Sequence, residues 1–333
     1  MVLVQNYGLA VFLCAVAMVC WGSWQNTQNL IGKSWRFEHD YWDFSIGILL
    51  FALLMAFTFG SIGNEGRSFL PDLHQADLKN LLSAAIGGVI WNMGTLLLVA
   101  AISIAGMSVA FPIGGGIGWT LGIVINYIGK PEGNPVFLFG GTAFIVLAIL
   151  MSMQSYRRLA ENQNKPTLKG ILLSILAGLC IAMFYRFVAS SLASDFSPAE
   201  AGKISSYTAV VFFSLGALLC TALVNPIFMA RPVQGEPVSM SGWIKGSSRT
   251  HLLGLLGGAI WCLGNSVSFM SVSAASPAIS YGLSNSAPVV AALWGIFVWK
   301  EFKDAPKGTN LLLSLMFLFY LIGLAFIVYS RFA

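Results

Sequence analysis

An eight-residue stretch that occurs twice constrains the fold of this chain more than any other feature of its sequence. Residues 87–94 read GGVIWNMG and residues 257–264 read GGAIWCLG, so five of the eight positions are identical at an interval of 170 residues. Lys130 and Lys300 are separated by the same interval, and each follows an apolar run. Similarity within a chain at a fixed interval indicates a repeated structural unit. We therefore interpret the chain as an internal duplication.

Long apolar runs indicate the environment of the two copies. Hydrophobic residues make up 57% of the chain and charged residues 9%, whereas soluble domains carry about 25% charged residues. A membrane-spanning helix needs about 20 mostly apolar residues, so we predict an all-α integral membrane protein. The N-terminal run lacks a basic segment and a cleavage site and is expected to be retained as a helix. We place ten spans, at about 8–30, 43–62, 80–103, 107–128, 135–155, 168–191, 204–226, 251–273, 276–299 and 309–330.

The ten spans divide evenly between residues 1–158 and residues 159–333, so each half holds five. Twelve Lys and Arg residues flank the spans on one side and five on the other, with Arg186 inside a span. Basic residues collect on the cytoplasmic side, which predicts a cell inner membrane protein with both termini in the periplasm. Because five is an odd number, the halves enter the membrane from opposite sides. We therefore predict two inverted five-helix repeats, an architecture typical of transporters with the substrate site between the halves.

The first span carries rings and amides on one face. Trp21, Trp24, Gln25 and Gln28 follow the i, i+3, i+4, i+7 spacing of a helix face. Amides at such depth are expected to point into the protein, and an indole beside an amide suits a small polar ring. We place Trp21 and Gln25 in a substrate site. The alternative is that these amides bind a neighbouring helix and are structural.

The repeated tryptophans are the second group of candidates. Trp91 and Trp261 are predicted to hold a ligand between their rings, with Asn92 and Asn265 beside them, because buried indoles need polar partners. The alternative is that a repeated tryptophan is a repeated packing solution. We assign three further residues to the site: Trp119 in the glycine-rich fourth span, and Tyr281 and Asn285 in the polar patch of the ninth.

Two charged positions are candidates of a different kind. Arg186 is a charge inside a span, where a functional role is the default hypothesis, and we assign it and the adjacent Tyr185 to the substrate site. Snorkelling to the membrane surface and pairing with Asp195 are the alternatives for Arg186. Asp43 begins the second span and is a candidate proton acceptor. It also suits a helix N-terminus or an ion pair with Lys33 or Arg36. These alternatives stay open at the level of sequence.

Proline and glycine shape the spans. Pro112, Pro277 and Pro288 are expected to kink or interrupt their helices. Gly114, Gly118 and Gly122 recur every four residues, a stripe of small residues that lets a second helix approach closely. We interpret this stripe, and the repeated glycine pairs, as packing features.

Several classes of function are excluded by what the sequence lacks. It has no nucleotide-binding glycine-rich loop, no His/Cys metal cluster and no nucleophile triad, so we expect neither an enzyme nor a cofactor. The basic residues lie between apolar runs, which is a membrane pattern and not a nucleic-acid-binding one. The expected partners are a small-molecule substrate, protons, the lipid bilayer and, as an open alternative, a second copy of the chain.

Particular segments resemble a known family. Residues 41–46 (YWDFSI), 56–63 (AFTFGSIG), the stretch 87–94 and residues 123–127 (IVINY) resemble the plant ureide permeases, within the drug/metabolite transporter superfamily. In architecture the chain is also similar to the bacterial glucose/ribose porters and the rhamnose–proton symporters. The resemblance implies ten helices and uptake of small, neutral, ring-shaped metabolites, often with protons. The nucleotide-binding-like sequence that ureide permeases carry in a central loop is absent from residues 156–167.

The expected function is therefore secondary import of a small neutral metabolite by alternating access, coupled to protons. A sugar such as a pentose comes first, and a nucleoside, nucleobase or ureide is the close alternative. A multidrug exporter and a receptor or scaffold that transports nothing are the rivals from other classes. Exporters of cationic drugs need a carboxylate inside the membrane, and no acidic residue lies deep in the predicted spans.

Overall fold

The computed structural model describes residues 1–32, 35–159, 167–194, 200–233 and 235–333, without the side chains of residues 107, 108 and 111. Apart from one bridge between Leu192 and Ile204, the regular structure of these residues is helical. The helices are α1 (Tyr7–Ser23), α2 (Asn26–Ile31), α3 (Phe37–Phe57), α4 (Phe69–Gln75), α5 (Leu78–Ala105), α6 (Met107–Gly129), α7 (Pro135–Leu159), α8 (Leu168–Ser191), α9 (Ser206–Ala230), α10 (Met240–Ile244), α11 (Ser248–Met270), α12 (Val272–Ala275), α13 (Pro277–Ser284), α14 (Pro288–Leu293) and α15 (Thr309–Tyr329), with a π-helical turn at Trp294–Val298.

The prediction of an all-α integral membrane protein is confirmed. Within the described residues, nine segments are long and apolar enough to cross a membrane: Tyr7–Ile31, Phe37–Phe57, Leu78–Ala105, Pro135–Leu159, Leu168–Ser191, Ser206–Ala230, Ser248–Met270, Pro277–Val298 and Thr309–Tyr329. The fourth predicted span coincides with α6, a helix of 23 residues.

The same backbone bend occurs in both halves. Gly106 alone separates α5 from α6, with φ 80° and ψ 156°. Ser276, 170 residues later, separates α12 from α13 with φ 76° and ψ 156°. Positive φ is ordinary for glycine and uncommon for serine. The second bend therefore has the same backbone angles as the first, although serine stands where glycine would be favoured. The Ser276 hydroxyl accepts a hydrogen bond from the Ile279 N–H, which caps the following helix.

The repeated glycines let neighbouring backbones touch. A methyl group on Gly88 would overlap the carbonyl oxygen of Phe213 in α9, and one on Gly258 would overlap that of Phe44 in α3. The two copies therefore make the same type of contact, and in both the glycine is required because any side chain would force the helices apart. This agrees with the packing interpretation of the motif.

Helix contacts follow one pattern in the two halves. Helix α5 packs against α8 and α9, and its counterpart α11 packs against α1 and α3. Likewise α6 packs against α8, as α13 packs against α1, while α7 and α15 pack against each other. We call α5, α6, α8 and α9 the first bundle, and α1, α3, α11 and α13 the second bundle. Each bundle therefore combines two helices from the first half of the sequence with two from the second.

The helices of both bundles run between two ends of the molecule. At the end where both chain termini lie, which we call the terminal end, the Met1 amine donates to the Glu65 carbonyl, and the Tyr7 hydroxyl donates to the Val328 carbonyl at 2.7 Å. At the opposite end, which we call the basic end, Arg36 donates to the Glu236 carbonyl at 2.9 Å.

Two predicted spans are discontinuous. The first is interrupted at Trp24 and Gln25, between α1 and α2. The ninth is interrupted between Ser284 and Pro288, as predicted for Pro288, which begins a new helix. Pro277 begins the first helix of this span, the position at which proline is favoured. The expectation for Pro112 is wrong to the extent that α6 runs through it without a break.

Candidate functional site

A cavity of about 200 Å³ lies between the two bundles. Its walls are mostly aromatic and aliphatic, and none of its lining residues is charged. The lining comprises Trp21, Trp24, Gln25, Trp91, Thr95, Leu98, Gly115, Gly116, Trp119, Ile145, Ile149, Ile181, Phe184, Trp261, Asn285, Ala287, Pro288, Ala291 and Tyr320.

The cavity lies towards the basic end. Helix α1 contributes Trp21 from its last turn, and α5 contributes Thr95 and Leu98, which follow Trp91 in the direction of that end. Gln25 is exposed, so it lies at the mouth. The cavity therefore extends from the middle of the bundle to an opening at the basic end.

Most of the predicted ring and amide residues meet at this cavity. Trp21, Gln25 and Asn285 line it together with Trp24, as the shared helix face in the first span predicts. Trp119 also lines the cavity, and its indole N–H donates to the Gly282 carbonyl at 3.0 Å, a bond between α6 and α13. Gln28, the fourth member of the face predicted for the first span, lies in α2 and does not line the cavity.

The repeated tryptophans line the cavity but do not enclose a ligand between them. The ring centroids of Trp91 and Trp261 are 4.0 Å apart with an interplanar angle of 33°. This is direct contact, so the predicted sandwich is wrong for this conformation. Phe213 stacks on Trp261 at 5.8 Å, and Phe44 packs on Trp91 at 6.5 Å. The pair forms one aromatic wall, supported from behind by α3 and α9.

Asn92 is part of a helix junction and not of the cavity. The Tyr41 hydroxyl donates to Asn92 Oδ1 at 2.7 Å, and Asn92 Nδ2 donates to Thr221 Oγ1 at 3.2 Å. These bonds join α3, α5 and α9 in the fully buried interior. The placement of Asn92 beside a ligand is therefore wrong for this conformation. Asn265 is also fully buried and outside the lining, and its amide has no hydrogen-bond partner among the described residues.

The two predicted site tyrosines form hydrogen bonds between the bundles on the terminal side of the cavity. Tyr185 Oη of α8 lies 3.0 Å from Ser268 Oγ and 2.9 Å from Ser280 Oγ. Tyr281 Oη of α13 lies 2.8 Å from the Gly118 carbonyl oxygen of α6. Both bonds run between the bundles, and both tyrosines are fully buried. We call this group the terminal gate; Tyr185 and Tyr281 are placed there and not in the cavity lining.

Arg186 lies apart from the cavity. Its guanidinium contacts Gly129, the last residue of α6, near the terminal end. Its predicted partner Asp195 lies outside the described residues. The structure therefore places Arg186 near the terminal end of the helices and away from the walls of the cavity.

Asp43 has partners that the sequence did not suggest. His251 Nδ1 lies 2.9 and 3.0 Å from the two carboxylate oxygens, and the indole N–H of Trp243 donates to Oδ1 at 3.0 Å. The proposed ion pair with Arg36 is wrong, because Arg36 pairs with Glu38 at 2.8 Å. The other proposed partner, Lys33, lies outside the described residues.

The Asp43 carboxylate is buried although it lies near the basic end. Its side chain is 3% exposed and that of His251 is 24% exposed. Asp40, one helical turn earlier, is also buried, and its Oδ1 has no hydrogen-bond partner among the described residues. We call Asp40, Asp43, Trp243 and His251 the Asp43 cluster. Trp243 and His251 come from the second half of the chain, about 200 residues away, so no local sequence signal marks them.

Several lining residues were missed because they look like ordinary membrane-helix residues. Ile145 and Ile149 of α7 and Tyr320 of α15 come from runs that read as lipid-facing or core positions. Tyr320 gives a weak signal, since its hydroxyl interrupts the apolar stretch in the middle of the last helix.

A multi-pass bundle of apolar helices around an uncharged, aromatic cavity defines the class of a membrane transporter of small polar molecules. The family profile described as "Ureide permease" matches residues 40–165 and 153–330, and the chain belongs to this family. Similar curated proteins include Ureide permease 2 of Arabidopsis thaliana, 24% identical with 99% of each chain covered. Probable ureide permease A3 of Vigna unguiculata is 25% identical over 92% of this chain and 99% of its own length.

A second group of relatives is named for sugar uptake. Probable glucose uptake protein GlcU of Staphylococcus aureus (strain N315) is 27% identical, covering 69% of this chain and 72% of its own length. A protein of known crystal structure, 17% identical, superposes with a TM-score of 0.60 over 97% of each chain, which supports the fold alone.

Proposed function

We propose that this protein imports a small, neutral, ring-shaped metabolite through the cavity between its bundles. The observation that carries the proposal is the lining itself, which offers flat indole faces and a few uncharged polar groups. A planar cyclic amide, such as a ureide or a nucleobase, is the first candidate, because flat faces suit planar rings and the relatives that match the whole chain are named ureide permeases.

A sugar such as a pentose is the second candidate. The relatives named for glucose uptake favour it, and the amides of Gln25 and Asn285 suit hydroxyl groups. Export of lipophilic cations is disfavoured, because the lining has no carboxylate to pair with a positive charge.

Alternating access is the proposed mechanism, with ten spans arranged as inverted repeats of residues 1–158 and 159–333. The exchangeable helix contacts, the matching bends at Gly106 and Ser276 and the repeated glycine contacts support this arrangement. With the basic end in the cytoplasm of a cell with an inner membrane, both termini are periplasmic and the structure is an inward-facing state, closed by the terminal gate. Rocking of one bundle against the other would open the gate and close the basic end.

Proton coupling is proposed at Asp43. A buried carboxylate beside a histidine can exchange one proton with the cytoplasm as the basic end opens and closes. The groups that face it are His251 from α11, the neutral Trp243 from α10, and Asp40 and His39 from α3 itself. Helix α9 contributes uncharged groups here, including Asn225, which donates to the Glu38 carbonyl.

The coupling proposal is tested by separating accumulation from exchange. Asp43→Asn in proteoliposomes should abolish solute accumulation driven by a proton gradient, while counterflow of the same solute continues. Asp77→Asn, at a half-exposed carboxylate of the terminal end, is the control and should keep both. Loss of neither process in Asp43→Asn would refute the assignment.

The substrate proposal is tested by equilibrium binding to the purified protein. Radiolabelled allantoin (a ureide), uracil and D-ribose would be measured against wild type and against Trp261→Phe, with Trp42→Phe, outside the cavity lining, as the control. We expect at least one solute to bind wild type and the control and to bind Trp261→Phe more weakly. Binding of ethidium with no binding of the three neutral solutes would contradict the proposal.

A further inference from the structure

One buried tyrosine differs from the others in its hydrogen bonding. The largest fully buried side chains include five tyrosines. Four have partners for their hydroxyl groups: Tyr41 bonds to Asn92, Tyr185 to Ser268 and Ser280, Tyr207 to the Val2 carbonyl and Tyr281 to the Gly118 carbonyl. Tyr320 is 1% exposed, and no hydrogen bond joins its hydroxyl to any described residue.

The unpartnered hydroxyl belongs to the cavity wall. Tyr320 lines the cavity together with Ile145 and Ile149, whose side chains offer no hydrogen-bonding group. Tyr320 Oη is not one of the fully enclosed unpaired atoms of the described residues, so we infer that it reaches the cavity, whose contents can supply the hydrogen-bond partner that polar groups in protein interiors nearly always have. The hydroxyl is thus a polar group in an otherwise apolar wall.

Tyr320 and the tryptophan pair belong to different walls. Trp91 and Trp261 are supported by Phe44 of α3 and Phe213 of α9. Tyr320 comes from α15, which packs against α7 and α13. A planar ring seated against the indoles would therefore extend one edge towards α15.

We propose that Tyr320 is a specificity-determining residue that donates a hydrogen bond to a carbonyl oxygen or hydroxyl oxygen on that edge of the substrate. The inference deepens the proposed function and rests on it. A phenol in an apolar wall favours a neutral acceptor, and a site built around one such bond discriminates strongly against analogues that lack the acceptor. Cyclic amides, with carbonyl groups on the ring, supply that acceptor.

The first test needs no ligand. Tyr320→Phe should leave the melting temperature of the purified protein unchanged or slightly raised, because the hydroxyl has no hydrogen-bond partner to lose among the described residues. Tyr281→Phe, which breaks the bond to Gly118, should lower it. A drop for Tyr320→Phe as large as that for Tyr281→Phe would overturn the proposal, since the hydroxyl would then have a structural partner.

The second test uses matched ligands. Uracil binding would be compared with 2-pyrimidinone and 4-pyrimidinone, each lacking one carbonyl, in wild type, Tyr320→Phe and the control Tyr7→Phe, whose hydroxyl bonds at the terminal end. We expect Tyr320→Phe to bind uracil about tenfold more weakly, the equivalent of about 1.4 kcal/mol. The variant should bind the analogue that lacks the contacted carbonyl as well as wild type does, because that analogue cannot accept the Tyr320 hydrogen bond in either protein.

The outcomes separate the two proposals. If Tyr320→Phe binds uracil with wild-type affinity, or if its affinity for uracil and for both analogues falls by the same factor, the role of Tyr320 is overturned. The proposed substrate class is unaffected by either result. If wild type binds none of uracil, allantoin and D-ribose, the proposed function itself fails, and the role of Tyr320 fails with it.

Discussion

The hydrogen bonds of the terminal gate allow a quantitative prediction about how often the gate opens. Tyr185→Phe keeps the ring and removes the hydroxyl that lies 3.0 Å from Ser268 Oγ and 2.9 Å from Ser280 Oγ. Because these bonds run between the bundles, their loss should destabilise the closed gate more than the open one. The gate should therefore open more often in the variant.

The size of the effect follows from the bonds that remain. A neutral hydrogen bond contributes about 0.5–1.5 kcal/mol net. Ser280 Oγ still donates to the Ser268 carbonyl at 2.8 Å after the substitution, so part of the network survives. We expect a net loss of about 1–2 kcal/mol, which raises the population with an open gate about 5- to 30-fold.

A native cysteine reports on the gate. Cys14 is fully buried, and its sulfur lies 3.7 Å from Ser280 Oγ. Opening of the gate should expose it to N-ethylmaleimide, and modification would be followed by mass spectrometry of the Cys14 peptide. Cys262, also fully buried, serves as an internal reference for general unfolding.

The predicted result is a 5- to 30-fold faster modification of Cys14 in Tyr185→Phe, with the rate at Cys262 unchanged. Tyr41→Phe, which removes the bond to Asn92 away from the gate, is the matched control and should leave the Cys14 rate as in wild type. Equal Cys14 rates in Tyr185→Phe and wild type would refute the assignment of these bonds to a gate.

Four further predictions concern the site, the packing and the topology. Trp91→Ala and Trp261→Ala should each weaken solute binding by about 1–3 kcal/mol, by analogy with aromatic stacking on bases; normal binding would identify the rings as packing residues. Gly258→Ala should lower the melting temperature, because its methyl group overlaps the α3 backbone; an unchanged value would contradict the packing account. A periplasm-dependent reporter fused after Ala333 should be active, and activity confined to a cytoplasmic reporter would reverse the orientation. Expression should not protect cells from ethidium, and robust protection without solute uptake would favour an exporter.

Features that depend on regular spacing could be predicted from the sequence. The duplicated stretch falls in α5 and in α11. The i, i+3, i+4 spacing predicted a shared face for Trp21, Trp24 and Gln25, and all three line the cavity. The tight bends at Gly106 and Ser276 were also predictable, since almost no polar residues separate the adjoining apolar runs.

Features that depend on how the two halves meet could not be predicted. Trp91 and Trp261 occupy matching positions of the duplicated stretch, but that match carries no information on their distance, and the direct contact of their rings leaves no room for a ligand between them. Asn92 and Asn285 are both amides within predicted spans, and the sequence does not distinguish their roles. In the folded protein the Tyr41 hydroxyl donates to the Asn92 amide oxygen, whereas Asn285 lines the cavity.

The most direct test of the central claim is solute uptake by proteoliposomes that contain the purified protein. Radiolabelled allantoin, uracil and D-ribose would be compared in wild type and in the double variant Trp91→Ala/Trp261→Ala, with ethidium transport measured in the same preparation. The account predicts saturable uptake of at least one neutral solute by wild type, with strong reduction in the double variant and no ethidium transport. Ethidium transport without uptake of any of the three neutral solutes would contradict it.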